Sequence, residues 1–170
     1  MTTRGNLADG FGIADLNGGI ITATTVDFKN DVVLTANTTI NATTATFEKT
    51  VNADLATNNR TLLVNASGVT TFGGAVGNSE PLFGLTTDAA GTTDINGGLL
   101  NATTVDFKDP VTLGANTTVN GTTVTIDAAY VQVYSRRFGR LQRADQIFDD
   151  VADRDRLTFV LGPAGNQDDE

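Results

Sequence analysis

Residues 17–47 (NGGIITATTVDFKNDVVLTANTTINATTATF) align without gaps to residues 96–126 (NGGLLNATTVDFKDPVTLGANTTVNGTTVTI), with 20 of 31 positions identical at an offset of 79. Most differences exchange like for like: Ile20 for Leu99, Ile40 for Val119, Phe47 for Ile126. A chain that repeats itself in this way folds as stacked copies of one unit, because a single copy cannot bury its apolar face alone. A shorter period lies inside the long one. Val26-Asp27-Phe28 is followed 19 residues later by Ala45-Thr46-Phe47, and Val105-Asp106-Phe107 is followed 19 later by Val124-Thr125-Ile126. The long repeat therefore reads as four coils of about 20 residues each. Apolar pairs recur about every six residues (Val26/Phe28, Val32/Leu34, then Ile40), which predicts three short strands per coil.

Each strand shows a period of two. In Val105-Asp106-Phe107-Lys108, neighbouring side chains must face opposite sides, apolar inward and charged outward. Valine, isoleucine, threonine and phenylalanine suit a pleated surface, and the flanking Asn, Gly and Asp suit corners. The predicted fold class is all-β: a single-stranded parallel β-helix, or β-solenoid, of about 20 residues per coil. At roughly 4.8 Å per coil, residues 9–133 would give about six coils and a rod about 30 Å long. The crossover rule favours a right-handed coil. A left-handed hexapeptide helix is the alternative, suggested by LGANTT (113–118) followed by VNGTTV (119–124), but the coil must also admit Phe28, Phe47 and Phe107.

Composition divides the chain near residue 127. Of 29 threonines, 28 precede that point, whereas six of eight arginines fall between Arg136 and Arg156. The expected organisation is a solenoid over residues 1–134, a C-terminal cap or docking segment over 135–161 and a flexible acidic tail over 162–170. Within 135–161, Phe138, Leu141, Phe148 and Val151 fall on one helical stripe, and LTFVL (157–161) reads as a further strand. An open solenoid end exposes unpaired backbone and invites association, so a cap is expected there.

With neither cysteine nor histidine, the chain has no thiolate and lacks the commonest general base. A net charge of -9 disfavours nucleic acid and anionic membranes as partners. No run approaches the roughly 20 apolar residues of a membrane span. The first ten residues contain no apolar signal-peptide core, which fits either an intracellular protein or a piece of an exported one.

The stretch LLVNASGVTTFGGAVG (62–77), then Pro81-Leu82, Leu85-Thr86-Thr87-Asp88 and Ile95-Asn96-Gly97-Gly98, resembles the β-strand repeats of very large bacterial surface proteins of the autotransporter and filamentous-haemagglutinin type. The resemblance covers about residues 15–126. It implies an exported, right-handed β-helical stalk with adhesive or structural roles, and it implies no catalytic residues. Residues 127–170 depart from the repeat.

Three residue types remain as candidates for chemistry. Two acids per long repeat, Asp27 with Asp31 and Asp106 with Asp109, have the makings of a calcium site or a general acid/base pair; the plainer reading is solvated residues beside Lys29 and Lys108. The triplets Thr22-Ala23-Thr24, Thr44-Ala45-Thr46 and Thr123-Val124-Thr125 resemble the outward ranks of ice-binding solenoids, yet a rank needs the triplet on every coil. Asn37, Asn41, Asn59, Asn65, Asn101, Asn116 and Asn120 begin N-x-S/T sequons, but corner ladders explain them better, with Asn37/Asn116 and Asn41/Asn120 recurring at the 79-residue offset.

No catalytic, cofactor-binding or metal-binding residue is assigned, and no cofactor is expected. The expected function is a non-catalytic structural or adhesive β-solenoid (stalk, spacer or adhesin segment) at the cell surface or outside the cell. Its expected partners are neighbouring repeats or copies of itself, surface polysaccharide, or host or cell-surface components. A self-assembling filament subunit is the alternative, followed by a polysaccharide-acting enzyme or an ice-binding solenoid.

Overall fold

Short strands with one apolar edge cannot bury that edge against themselves, so each finds its partner one coil away. The computed structural model describes residues 2–4, 12–126, 131–133, 142–143 and 157–160, with side chains for 12–126. The chain forms an all-β, single-stranded parallel β-helix of six coils, with three strands per coil around one apolar core. The first face stacks Ile13–Leu16, Asp31–Leu34, Val51–Ala53, a single bridge at Val76, the start of Leu99–Phe107, and Thr118–Gly121. The second stacks Ile20–Thr22, Thr38–Ala42, Thr61–Ala66, Leu82–Thr87, the rest of Leu99–Phe107, and Thr123–Ile126. The third stacks Thr25–Phe28, Thr44–Phe47, Val69–Phe72, Thr92–Ile95, Val111–Leu113 and Val131–Val133.

Parallel register places like on like. On the third face Phe28 pairs with Phe47, Phe47 with Phe72, Phe72 with Ile95, and Ile95 with Leu113. The first three rings form a stack inside the coil, with centroids 5.3 Å apart for Phe28 and Phe47 and 5.2 Å apart for Phe47 and Phe72. Such separations add aromatic attraction to the burial of apolar area. The second face carries the column Ile21, Ile40, Val64, Thr87, Phe107 and Ile126. A threonine in that column needs a hydrogen-bond partner, and it has one.

The long repeat does not span four coils. Phe28 lies on the third face but its counterpart Phe107 on the second; Val32 lies on the first but Val111 on the third. The second copy is thus turned by one face, one strand short of four coils. The cause is coil length. Thr25 meets Thr44 after 19 residues, but Asn41 meets Asn65 only after 24, because the third coil carries an inserted lobe between its first two strands. That lobe holds a 3₁₀ turn, Ala56–Asn58, the only helical segment among the described residues.

Corners stack as closely as strands, and two glycines show what this demands. Gly91 has φ of +80°, and a Cβ there would strike the carbonyl of Gly68; a Cβ on Gly97 would strike the carbonyl of Gly74.

Beyond the six coils the pairing turns antiparallel. Thr2–Arg4 runs beside Ile13–Leu16, Gln142–Arg143 beside Val131–Val133, and Leu157–Val160 beside Thr118–Gly121. The strand expected at 157–161 is therefore present, as an antiparallel edge and not as another coil. The helical stripe of Phe138, Leu141, Phe148 and Val151, and the tail at 162–170, lie outside the described residues.

Inward and outward neighbours should differ sharply in their contribution to stability. Phe47→Ala and Phe107→Ala, both fully buried, should each cost about 3–5 kcal/mol. Thr46→Ala and Asp106→Ala, one position away and facing out, should stay within about 0.5 kcal/mol. Urea unfolding of the four variants measures this, and equal costs would contradict the alternation.

Candidate functional site

The expected acids do not come together. Asp27 and Asp106 face outward and pair with the lysine two residues on, Lys29 at 3.1 Å and Lys108 at 3.5 Å. Lys29 also donates to Glu48 on the next coil at 2.8 Å, and that bond, with the one to Asp27, raises its pKa. Asp31 sits at a corner, where its Oδ1 accepts from the backbone N–H (3.1 Å) and hydroxyl (2.6 Å) of Thr50 on the next coil. Asp109 is buried in another corner. Its counterpart across the long repeat is Asn30, which is buried too, with neither amide atom paired. Among the described residues no group of three or more Asp or Glu is placed to hold a metal ion.

Threonines form columns, but not a uniform rank. On the third face Thr25 pairs with Thr44, and Val69 with Thr92; beside them run Asp27, Thr46, Thr71, Asp94 and Thr112. Two acids and a valine interrupt the hydroxyls. The three TxT triplets themselves are scattered, with Thr44 and Thr46 on the third face and Thr123 and Thr125 on the second.

Asparagines do ladder, between other partners than the 79-residue offset suggested. Asn65 Nδ2 donates to Asn41 Oδ1 at 2.8 Å, and Asn101 lies in register with Asn120. Asn41 is on the second face and Asn120 on the first, so the offset pairs never meet. Asn37 Oδ1 accepts from the Thr61 N–H instead.

The densest polar constellation is one the sequence reading passed over: the lobe of the third coil and the corner stacked above it. Asp54 accepts from Arg60 through Nε and Nη2, each at 2.9 Å, and also from Asn58 Nδ2 and the Leu55 N–H. The Arg60 fork is the largest cause of an Asp54 carboxyl held well below the usual carboxylate range. Glu80 of the fourth coil accepts from the Ala56 N–H at 2.9 Å, and Asn52 Oδ1 accepts from the Ser79 N–H at 3.0 Å. Exposed Leu55 and Phe83 flank this region. Its signal in the sequence was the lengthened spacing from Phe47 to Phe72, against that from Phe28 to Phe47. Chemically the arrangement is a brace: each acid accepts the N–H groups that an irregular loop leaves unpaired.

Set beside known proteins, the chain matches no protein-family model, no curated protein and no solved structure.

The brace has a pH signature. A depressed carboxyl contributes stability above the ordinary aspartate pKa and loses it only as pH falls through the lower folded value. Exchange protection of the Leu55 amide should therefore persist from neutral pH to below about 3.9, the ordinary aspartate value. Asp54→Ala should remove that protection at every pH, leaving the amides of Thr44–Phe47 unchanged. Hydrogen exchange read by NMR checks both.

Proposed function

We propose that the chain is a non-catalytic structural module: a length of stalk that spaces, displays or sticks, within a larger exported surface protein. The observation carrying this reading is how the chemistry-bearing side chains are used. Asp31, Asp88 and Asp109 each accept hydrogen bonds that tie one coil to the next, as Glu80 and the Asn41–Asn65 ladder also do, while Asp54 ties the lobe of the third coil to itself. Even the acids that lie near one another, Asp88 with Asp109 and Asp54 with Glu80, are each engaged in such structural hydrogen bonds. The resemblance read in the sequence of residues 15–126 to the repeats of autotransporter and filamentous-haemagglutinin proteins supports the same reading, and the proposed surface location rests on that resemblance alone.

Neighbouring repeats are the natural partners of such a rod, with surface polysaccharide or a host component as its adhesive target. Light scattering after size exclusion, at rising concentration, should give a monomer throughout. Growth without a defined end point would instead favour a filament subunit. Release of unsaturated or reducing ends from acidic polysaccharides, with or without calcium, would overturn the non-catalytic reading.

A further inference from the structure

Asp109 is an ionisable group in a place where a solenoid has little use for one. It occupies the corner between Leu99–Phe107 and Val111–Leu113 in the fifth coil and is 1% exposed. Directly beneath it, in the fourth coil, are Thr87 and Thr93, the last residue of the second-face strand and the second residue of the third-face strand. Both threonines are fully buried at inward positions. Thr87 Oγ1 donates to Asp109 Oδ1 at 2.7 Å, and Thr93 Oγ1 lies 3.0 Å from Oδ1 and 2.9 Å from Oδ2. The three side chains form a bracket joining two coils and two faces.

We propose that this bracket is an acid-strengthened latch, closing the joint between the fourth and fifth coils when the Asp109 carboxyl is protonated. Protonated at Oδ2, the carboxyl donates to Thr93 Oγ1 while Oδ1 still accepts from Thr87, so both states bond without any heavy atom moving. Ionised, it is a buried charge whose donors are two hydroxyls and its own backbone N–H, with no cation paired to it among the described residues. Burial raises its pKa, opposed in part by the two hydroxyls and its own backbone, and the charge of Asp88 raises it further. Asp88 follows Thr87 and accepts from the Ala66 N–H. Asp94 and Asp106 take outward positions on the packed strands, and Lys108 is drawn outward to Asp106. Residues 127–130, which follow Thr123–Ile126 in the sequence, lie outside the described residues and contain one charged residue, Asp127.

The folded chain thus holds this proton more tightly than the unfolded chain does. The corner's contribution is complete below the ordinary aspartate range and is lost as pH rises through the raised folded value. Asn30, at the matching repeat position but in a different corner, is a buried neutral side chain of the same shape.

Hydrogen exchange across Leu82–Thr87, Thr92–Ile95 and Val111–Leu113 in the intact chain, corrected for intrinsic exchange, reads the opening of this joint. Opening should decrease on acidification through the Asp109 titration, by about tenfold for each unit separating its midpoint from that of an exposed aspartate. Thr25–Phe28 should not follow. Asp109→Asn should abolish the dependence and keep the joint closed at neutral pH. Identical pH profiles in the parent and Asp109→Asn would overturn the latch, as would a joint that opens more in acid. Should Asp109→Asn fail to fold, carbon-13 titration of the Asp109 carboxyl in the parent decides: a midpoint at or below that of an exposed aspartate overturns the proposal.

Discussion

Everything in this molecule follows from stacking strands in parallel, in register, at about 4.8 Å per coil. Each side chain then has a neighbour directly above and below, so its position must suit a column and not merely a site. Inward columns fill with Phe28, Phe47 and Phe72, or with Ile40 and Val64, and are completely buried over most of their length. Outward columns take threonine, whose branched side chain suits a pleated surface and whose hydroxyl stays in water. Corners take glycine wherever the carbonyl beneath leaves no space for a Cβ.

Several of the polar groups buried in this stack are held in linked sets, although buried Asn30 is not. Thr87 replaces an aliphatic residue between Val64 and Phe107, and its hydroxyl is satisfied because Asp109 reaches down from the next coil. The same logic governs the lobe, where Asp54, Arg60 and Asn58 close on one another and Glu80 accepts a free amide. These brackets make neighbouring coils specific to each other, which hydrophobic stacking alone does not do, since one aliphatic column fits another about equally well.

How much of this could be read from the residues depended on range. Alternation in Val105-Asp106-Phe107 revealed which side faces in, and the 19-residue spacing of Phe28 and Phe47 revealed the column they share. Both are local or strictly periodic signals. The lobe broke the period, so dividing 79 into equal coils misplaced the second copy by a face. Asp109 looked like a solvated acid beside Lys108, because its partners lie 16 and 22 residues upstream at positions that only the register brings together. Asn41 and Asn120 fall on different faces for the same reason: sequence offset is not spatial offset once coil lengths vary.

The one-face turn of the duplicated segment means that its two copies are offset by a whole number of strands with their corners, not by a whole number of coils. One sequence pattern can therefore line either of two faces. Were the duplication continued, each new copy would step a third of a revolution around the axis and regain its starting side after three copies. A mark carried once per copy would then trace a screw thread along the stalk. A rod grown in this way would offer the same features on each of its three sides, so whatever approaches it could meet them from any of the three.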